Sequence, residues 1–170
     1  YPRTTCTLLH PGLRGRRLAA GLSANVSARV PRRPISAAAA PLLIDETHLD
    51  FDLQESGTVV SSRLKLRRNP DYQGPAGLLL HGQDLELLEL AIDGLALELG
   101  DYETEEETLR ILECPEQFEL HCVTRVQPQD NTSLEGLYKS RTMFCTQCEA
   151  EGFRKITYYL DRPDVMSVFT

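Results

Sequence analysis

Apolar and polar side chains alternate along several segments of the chain, beginning near residue 45. In "THLDFDL" the apolar residues Leu49, Phe51 and Leu53 alternate with polar ones. This period of two predicts a half-buried β-strand. After the turn "ESG", the segment "TVVSSRLKL" predicts a returning strand. Its apolar face is formed by Val60, Leu64 and Leu66.

The segment "LLLHGQDLELLELAIDG" contains one slip in its alternation. Leu85 and Leu87 share one face of an extended chain, whereas Leu88, Leu90 and Ile92 share the other. A β-bulge explains the slip. A short helix through Leu85, Leu88 and Ile92 is the competing interpretation.

Turn signals divide the rest of the chain into short elements. "RRNPDYQGPAG" is loop-like, Asp93-Gly94 suits a two-residue hairpin, and "YETEEET" is interpreted as an acidic, solvated loop. No strong helical period precedes the last residues. The pattern therefore predicts an all-β fold, mainly antiparallel, built as a sandwich or an open curved sheet. A further strand has an apolar face formed by Phe118, Leu120, Cys122, Thr124 and Val126.

Residues 1–40 differ sharply from the remainder. They hold seven of the 18 basic residues, all arginine, and none of the 25 acidic ones. This composition predicts a disordered basic tail, interpreted as an organellar transit peptide for chloroplast or mitochondrion. A basic arm that binds RNA is the alternative, but aromatic residues for base stacking are missing after Tyr1.

The charge of the body limits its partners. Residues 41–170 carry a formal net charge of −14 (11 basic minus 25 acidic residues), which disfavours nucleic acid and anionic membrane surfaces. No apolar run approaches the roughly 20 residues of a membrane span. Five cysteines at irregular spacing favour a reducing compartment over a disulfide framework.

Cys145 and Cys148 form a Cys-x-x-Cys pair, which raises the possibility of a small zinc or redox protein. Structural zinc usually requires four ligands, and a thioredoxin-like role requires a βαβ context, which the pattern does not offer. The sequence also has no His-Glu-x-x-His, no Gly-x-Ser-x-Gly and no phosphate-binding loop. We therefore interpret the two thiols as ordinary reduced cysteines at the entrance to a strand and predict no catalytic residue within this chain.

Gln147 and Glu149 lie between and beside these cysteines. If residues 145–151 are extended, the two side chains project from the same face. An amide oxygen beside a carboxylate suits a primary ammonium group, because the carboxylate supplies a charge-assisted hydrogen bond. The residues alone leave a second interpretation open, in which both side chains simply face water.

"NTSLEGLYKS" and "MFCTQCEAEGFRKITYYLDRPDVMSVFT" closely resemble the M1 family of zinc aminopeptidases, in its bacterial-type branch. The resemblance is strong over residues 131–170 and looser from residue 48 to 126. It implies that residues 45–170 form the saddle-like N-terminal β domain of a larger enzyme, truncated at its end. Zinc, a catalytic domain of the same chain and peptide substrates with a free N-terminus are then expected, with the fragment alone inactive.

The resemblance also assigns roles to particular residues. The family's Gln-x-Glu falls on Gln147 and Glu149, which are expected to hold the substrate's α-amino group. Asp161-Arg162-Pro163 matches a family turn, in which Asp161 is expected to accept backbone hydrogen bonds and orient a strand carrying Tyr158 and Tyr159. A non-catalytic β-sandwich that binds peptides or a partner is the alternative function.

Overall fold

The computed structural model describes residues 40–75 and 77–170. The proposed tail, residues 1–40, lies outside this part of the chain except for its last residue. Eleven strands and one 3₁₀ turn make up the described residues. The strands are β1 (Leu42–Gln54), β2 (Gly57–Arg68), β3 (Leu78–His81), β4 (Glu86–Ile92), β5 (Leu95–Ala96), β6 (Tyr102–Thr104), β7 (Thr108–Ile111), β8 (Gln117–Val126), β9 (Gly136–Ser140), β10 (Met143–Gln147) and β11 (Val168–Phe169), and the 3₁₀ turn is Phe153–Lys155.

The largest sheet has six strands in the order β11-β1-β2-β8-β4-β5. All neighbours are antiparallel except β11, which pairs in parallel with β1. A three-stranded sheet, β3-β7-β6, and the β9-β10 hairpin complete the fold. The prediction of a mainly antiparallel all-β architecture with an open sheet is confirmed. No helix within the described residues is long and apolar enough to cross a membrane.

The alternating residues of β2 and β8 bury one face of the large sheet, as the pattern predicts. Every predicted face residue in these two strands is buried, including Leu64 and Leu120, which are fully buried. The main core also takes residues from β3, β7 and the segment Tyr158–Leu160. A smaller cluster, Val60, Val126, Leu137 and Ile156, lies toward the β9-β10 hairpin.

Hydroxyl side chains occupy the buried face where the irregular segment after the 3₁₀ turn crosses it. Ser62 Oγ lies 3.0 Å from Thr157 Oγ1, and Thr124 Oγ1 donates to the Ile156 carbonyl at 3.3 Å. An irregular segment leaves polar groups without ladder partners, and buried polar groups are costly unless paired. The hydroxyls of β2 and β8 therefore let Ile156–Leu160 run through the core.

The slip in β4 is a bulge, so the competing helix interpretation is wrong. The register with β8 shifts between Leu87 and Glu89. Leu88 is the extra residue and is 41% exposed, whereas Leu90 is buried at 4%. The bulge therefore brings Leu85 and Leu87 onto the core side with Leu90. The Asp93-Gly94 hairpin is also confirmed, with φ of 49° and 78° at the two turn residues.

Burial of the predicted β1 face is wrong at its far end. Phe51 and Leu53 are 40% and 48% exposed, although the residues opposite them on β2 are buried. β11 pairs only with Glu46 and Thr47, so the edge of β1 beyond them has no neighbouring strand among the described residues. Alternation predicts which side faces the core, but it does not predict how far the covering layer extends.

Two further expectations need correction. The acidic segment is not entirely a loop, since its flanks form the β6-β7 hairpin and only residues 105–107 connect them. Tyr158 and Tyr159 are buried, but they do not belong to a strand. Tyr159 instead forms an isolated antiparallel bridge with His81, because the segment passes between two layers and meets β3 at one point.

Candidate amine-recognition turn

The candidate site lies where the β9-β10 hairpin ends. Gln147 is the last residue of β10 and pairs with Gly136. The chain then turns, and the Cys148 carbonyl accepts a hydrogen bond from the Gly152 N–H at 3.1 Å. Glu149 lies inside this turn, and its peptide bond to Ala150 is cis. We call residues 147–152 the recognition turn, after the role that the sequence analysis predicts for Gln147 and Glu149.

The expected extended conformation of residues 145–151 is wrong beyond Gln147. Extended backbone ends with β10, and residues 149–152 form a turn. Gln147 and Glu149 therefore do not share a strand face by alternation. Both side chains are nevertheless exposed at the same end of one hairpin, two residues apart. Their solvent-facing placement is compatible with ligand binding, but their relative orientation is set by the turn rather than by strand geometry.

Close packing of two glycines shapes the turn. A Cβ atom on Gly152 would lie 2.7 Å from the Gln147 carbonyl oxygen, and one on Gly136 would lie 2.6 Å from Lys155 Cβ. Real Cβ atoms do not approach other atoms this closely. Gly152 has an ordinary helical φ of −85°, so glycine is required there only because a Cβ atom would not fit. At Gly136, glycine is required both because a Cβ atom would not fit and because φ is 69°.

Aromatic rings support the turn from the side of the core. Phe153, which follows Gly152, packs edge-to-face against Tyr159 at 4.7 Å and against Phe169 at 5.6 Å between ring centroids. Both geometries are the favourable T-shaped arrangement. Phe169 belongs to β11, so this aromatic cluster connects the turn to the edge of the large sheet.

An arginine connects the recognition turn to the Asp161 turn. Asp161 Oδ2 accepts hydrogen bonds from the Arg154 backbone N–H at 3.0 Å and from Arg154 Nε at 3.1 Å. Arg154 Nη2 also donates to the Asp161 carbonyl at 3.1 Å and to Glu151 Oε2 at 2.7 Å. The expectation that Asp161 accepts a backbone hydrogen bond is confirmed. Arg162, its neighbour, pairs with Asp164 at 2.7 Å.

The two carboxylates of the turn differ in their partners. Glu151 is neutralised by Arg154, whereas Glu149 makes no ion pair and no side-chain hydrogen bond within the described part of the chain. The Gln147 amide likewise has no side-chain hydrogen bond there. An exposed carboxylate and an exposed amide without internal partners, carried on a tightly packed turn, can receive a cationic group from outside.

The cysteines are poorly suited to metal or redox chemistry. Burial raises the pKa of Cys148, with a smaller contribution from Asp161. Burial also raises the pKa of Cys114 to about 11 and that of Cys122 to about 12, which disfavours the reactive thiolate. Cys145 and Cys148 are both free thiols and form no disulfide with each other.

The side chains that could bind a metal ion are scattered over the described residues. Within residues 40–75 and 77–170, no three His, Cys, Asp or Glu side chains lie close enough together to hold a metal ion. Two cavities of about 430 and 470 Å³ are present, and neither is lined by Gln147 or Glu149. The recognition turn is thus an open surface feature of the described residues rather than the wall of either cavity.

Sequence reasoning missed the residues that hold the turn in place. Arg154 is part of no motif, and its contacts with Asp161 join residues seven apart through an irregular segment. Gly152 carried a usable signal, because glycine is favoured in turns where other atoms approach the backbone closely.

Comparisons with known proteins agree with one another. A model of the Peptidase M1 N-terminal domain matches residues 35–170. Aminopeptidase N of Caulobacter vibrioides is 46% identical over 130 residues, which are 76% of this chain and 15% of that protein. The chain therefore spans about 15% of the length of this relative.

Two solved structures share the fold. Aminopeptidase A of Legionella pneumophila, crystallised in complex with aspartic acid, matches with a TM-score of 0.73 and 24% identity, over 79% of this chain and 16% of that one. The M1 zinc metallopeptidase of Deinococcus radiodurans matches with a TM-score of 0.61 and 13% identity, over 76% of this chain and 31% of that one.

Proposed function

The chain belongs to the M1 peptidase family, whose N-terminal domain it carries, and from this premise we propose that it supplies substrate recognition to a zinc-dependent aminopeptidase. The proposed reaction releases the N-terminal amino acid from a peptide. The observation that carries the proposal is Glu149, an exposed carboxylate with no ion pair or side-chain hydrogen bond among the described residues, held beside Gln147 on the recognition turn.

Glu149 would accept hydrogen bonds from the substrate's α-ammonium group, and the Gln147 amide oxygen would fix its direction. Both contacts need acceptors, since an ammonium group offers only donors. A hydrogen bond to a charged group is worth about 1.5–3 kcal/mol. Recognition of the free α-amine would place the first peptide bond, and no later one, at the reacting centre.

We propose zinc as the cofactor because the chain belongs to the M1 family, and the described residues do not supply its ligands. When bound by the complete polypeptide, zinc would polarise the scissile carbonyl and lower the pKa of a bound water molecule. The residues of this chain would contribute binding and orientation. We therefore propose that the domain acts together with a catalytic domain of the same polypeptide.

A chimera provides the test. Residues 41–170 replace the matching segment of the Caulobacter aminopeptidase N, and kcat/KM is measured on an alanine p-nitroanilide. Glu149→Ala should lower kcat/KM roughly ten- to 200-fold, since each 1.4 kcal/mol corresponds to a factor of ten. Glu106→Ala, which removes an exposed glutamate from the β6-β7 connection, should leave it unchanged. A Glu149→Ala chimera with the kcat/KM of its parent would contradict the proposed role.

The tail carries a separate proposal. Its Arg-rich, acid-free composition supports import into a chloroplast or mitochondrion, followed by removal of roughly residues 1–40. Residues 1–45 fused to a fluorescent protein should direct it to one of these organelles, and replacing the seven arginines by glutamine should leave it in the cytosol. Cytosolic fluorescence of the unmodified fusion would contradict the proposal.

A further inference from the structure

Arg154 is the most extensively bonded side chain near the recognition turn. Its guanidinium donates to Asp161 Oδ2, to the Asp161 carbonyl and to Glu151 Oε2, at 3.1, 3.1 and 2.7 Å. Only 17% of the Arg154 side chain and 11% of the Asp161 side chain are exposed. Partly buried charged hydrogen bonds of this kind fix geometry more firmly than exposed ion pairs do.

These contacts join the turn to two other parts of the fold. Glu151 is a residue of the recognition turn, and Asp161 lies beyond the segment that crosses the core. The Arg154 carbonyl accepts a hydrogen bond from the Gln83 N–H at 2.9 Å, which adds the connection between β3 and β4. The Arg154 guanidinium therefore connects the recognition turn to Asp161, whereas its backbone carbonyl connects the 3₁₀ turn to the β3-β4 connection.

The same contacts determine the net charge around the recognition turn. A guanidinium five residues from Glu149 and seven from Gln147 would by itself oppose the binding of a cation. Asp161 and Glu151 both lie against this guanidinium and neutralise it. Arg154, Glu151 and Asp161 together carry a net charge of −1 (one guanidinium and two carboxylates), and Glu149 adds a second negative charge. The turn therefore presents a net attraction to an ammonium group.

We propose that Arg154 is a positioning residue for substrate recognition, which holds the recognition turn through Glu151 and Asp161 so that Glu149 meets the α-ammonium group. The inference rests on the proposed function of Glu149. Arg154 itself does not contact the substrate in this proposal. The guanidinium is required because its planar fork of N–H groups reaches two carboxylates and a carbonyl at once. A lysine ammonium group is a compact point charge and lacks this fork.

The test measures recognition of the α-amine and not activity alone. In the chimera, inhibition constants are determined for alanine hydroxamate and for propionohydroxamate, which lacks only the α-amino group. The inhibition constant of propionohydroxamate divided by that of alanine hydroxamate reports how strongly the enzyme favours the α-amine. Arg154→Lys retains the charge but loses the fork, and should lower this ratio roughly ten- to 100-fold, the scale expected for misplacement by about 1 Å.

Two further variants test whether the contact of Arg154 with Glu151 itself affects recognition of the α-amine. Glu151→Gln alters an exposed side chain, so the fold should persist, and it should lower the ratio in the same direction. Arg125→Lys is the matched control, because Arg125 pairs with Glu86 at 2.9 Å on the exposed face of the sheet, and it should leave the ratio unchanged. Melting temperatures of all chimeras are compared, so that loss of fold is distinguished from loss of recognition.

The outcomes separate the two proposals. If Glu149→Ala lowers the ratio and both Arg154→Lys and Glu151→Gln preserve it, positioning by Arg154 is overturned while recognition by Glu149 stands. If Glu149→Ala itself preserves the ratio, the proposed function fails, and the positioning role fails with it. A fall in the ratio for all three variants, with Arg125→Lys unchanged, supports both.

Discussion

Ser62 and Thr157 are 95 positions apart in the chain, and their hydroxyl oxygens lie 3.0 Å apart inside the fold. Both residues are fully buried. Their contact joins the central strand β2 to the segment that follows the recognition turn. This contact, together with the Thr124 hydrogen bond to the Ile156 carbonyl, holds the segment against the buried face of the large sheet.

Replacing one member of this pair should lower the free energy of unfolding by more than the hydrogen bond between the two hydroxyls contributes to it. Ser62→Ala removes one partner of the buried Thr157 hydroxyl and leaves it the Cys122 thiol, a weak hydrogen-bonding group. The cost should therefore lie within the range of about 1–3 kcal/mol for a poorly satisfied buried group. Thr157→Val should cost less, because Ser62 retains the Cys122 carbonyl as an acceptor at 3.3 Å. Urea unfolding of the chain gives both values.

The double variant Ser62→Ala/Thr157→Val should be less destabilised than the sum of the single variants, since neither hydroxyl then remains to be satisfied. Ser140→Ala, at an exposed position, is the control and should change little. Strict additivity would argue against a direct coupling between the two hydroxyls.

Gly152→Ala should displace the recognition turn. The new Cβ would lie 2.7 Å from the Gln147 carbonyl oxygen and 3.2 Å from the Gly136 nitrogen, so backbone must shift. Overpacking of this kind costs about 1–3 kcal/mol. Urea unfolding should therefore show reduced stability. Gly94→Asn is a suitable control, because no atom lies within 4 Å of its Cβ position and asparagine tolerates a positive φ. Equal stability of the Gly152→Ala chain and its parent would contradict the close packing.

The fold should lose stability as the pH falls below about 6.5. Burial lowers the pKa of His81, and the positive charge of Arg154 lowers it further, against the opposing effect of Asp161. The unfolded chain therefore binds a proton at a higher pH than the folded chain does. The contribution of neutral His81 is complete above the unfolded pKa of about 6.5 and is lost as the pH falls toward the folded value.

Unfolding free energies at pH 7.5 and 5.5 measure this effect. His81→Phe should reduce the difference between the two values, because no proton is then taken up at this position. His48→Gln serves as the control, since that side chain is partly exposed beside Glu46. A difference that His81→Phe leaves unchanged would place the pH dependence on other groups.

The strands of the large sheet were predictable because their alternation is a direct consequence of one buried face. β2 and β8 follow it throughout, and even the bulge at Leu88 is visible as a slip of phase. Exposure of Phe51 was not predictable, because it depends on where a neighbouring strand ends. Such information lies in other parts of the chain.

The candidate site was accessible to sequence reasoning only in part. The side-chain chemistry of Gln147 and Glu149 suggested an ammonium receptor, but the family resemblance selected it over ordinary exposed residues. The pattern could not reveal that the strand stops at Gln147, because the residues that force the turn act through space. Gly136 and Gly152 approach each other across the hairpin, and Arg154 acts through Asp161.

The stretch from Gln147 to Asp161 contains the recognition turn, the ring of Phe153, the hydroxyl of Thr157 and the carboxylate that holds Arg154. It cannot be treated as a loop for transplantation into another scaffold. A host protein that received these residues would also need the hydroxyl groups of Ser62 and Thr124 at matching depth. Transfer of the turn to another protein would therefore require exchange of the whole domain, whereas changes made in place can be restricted to the exposed side chains at its rim.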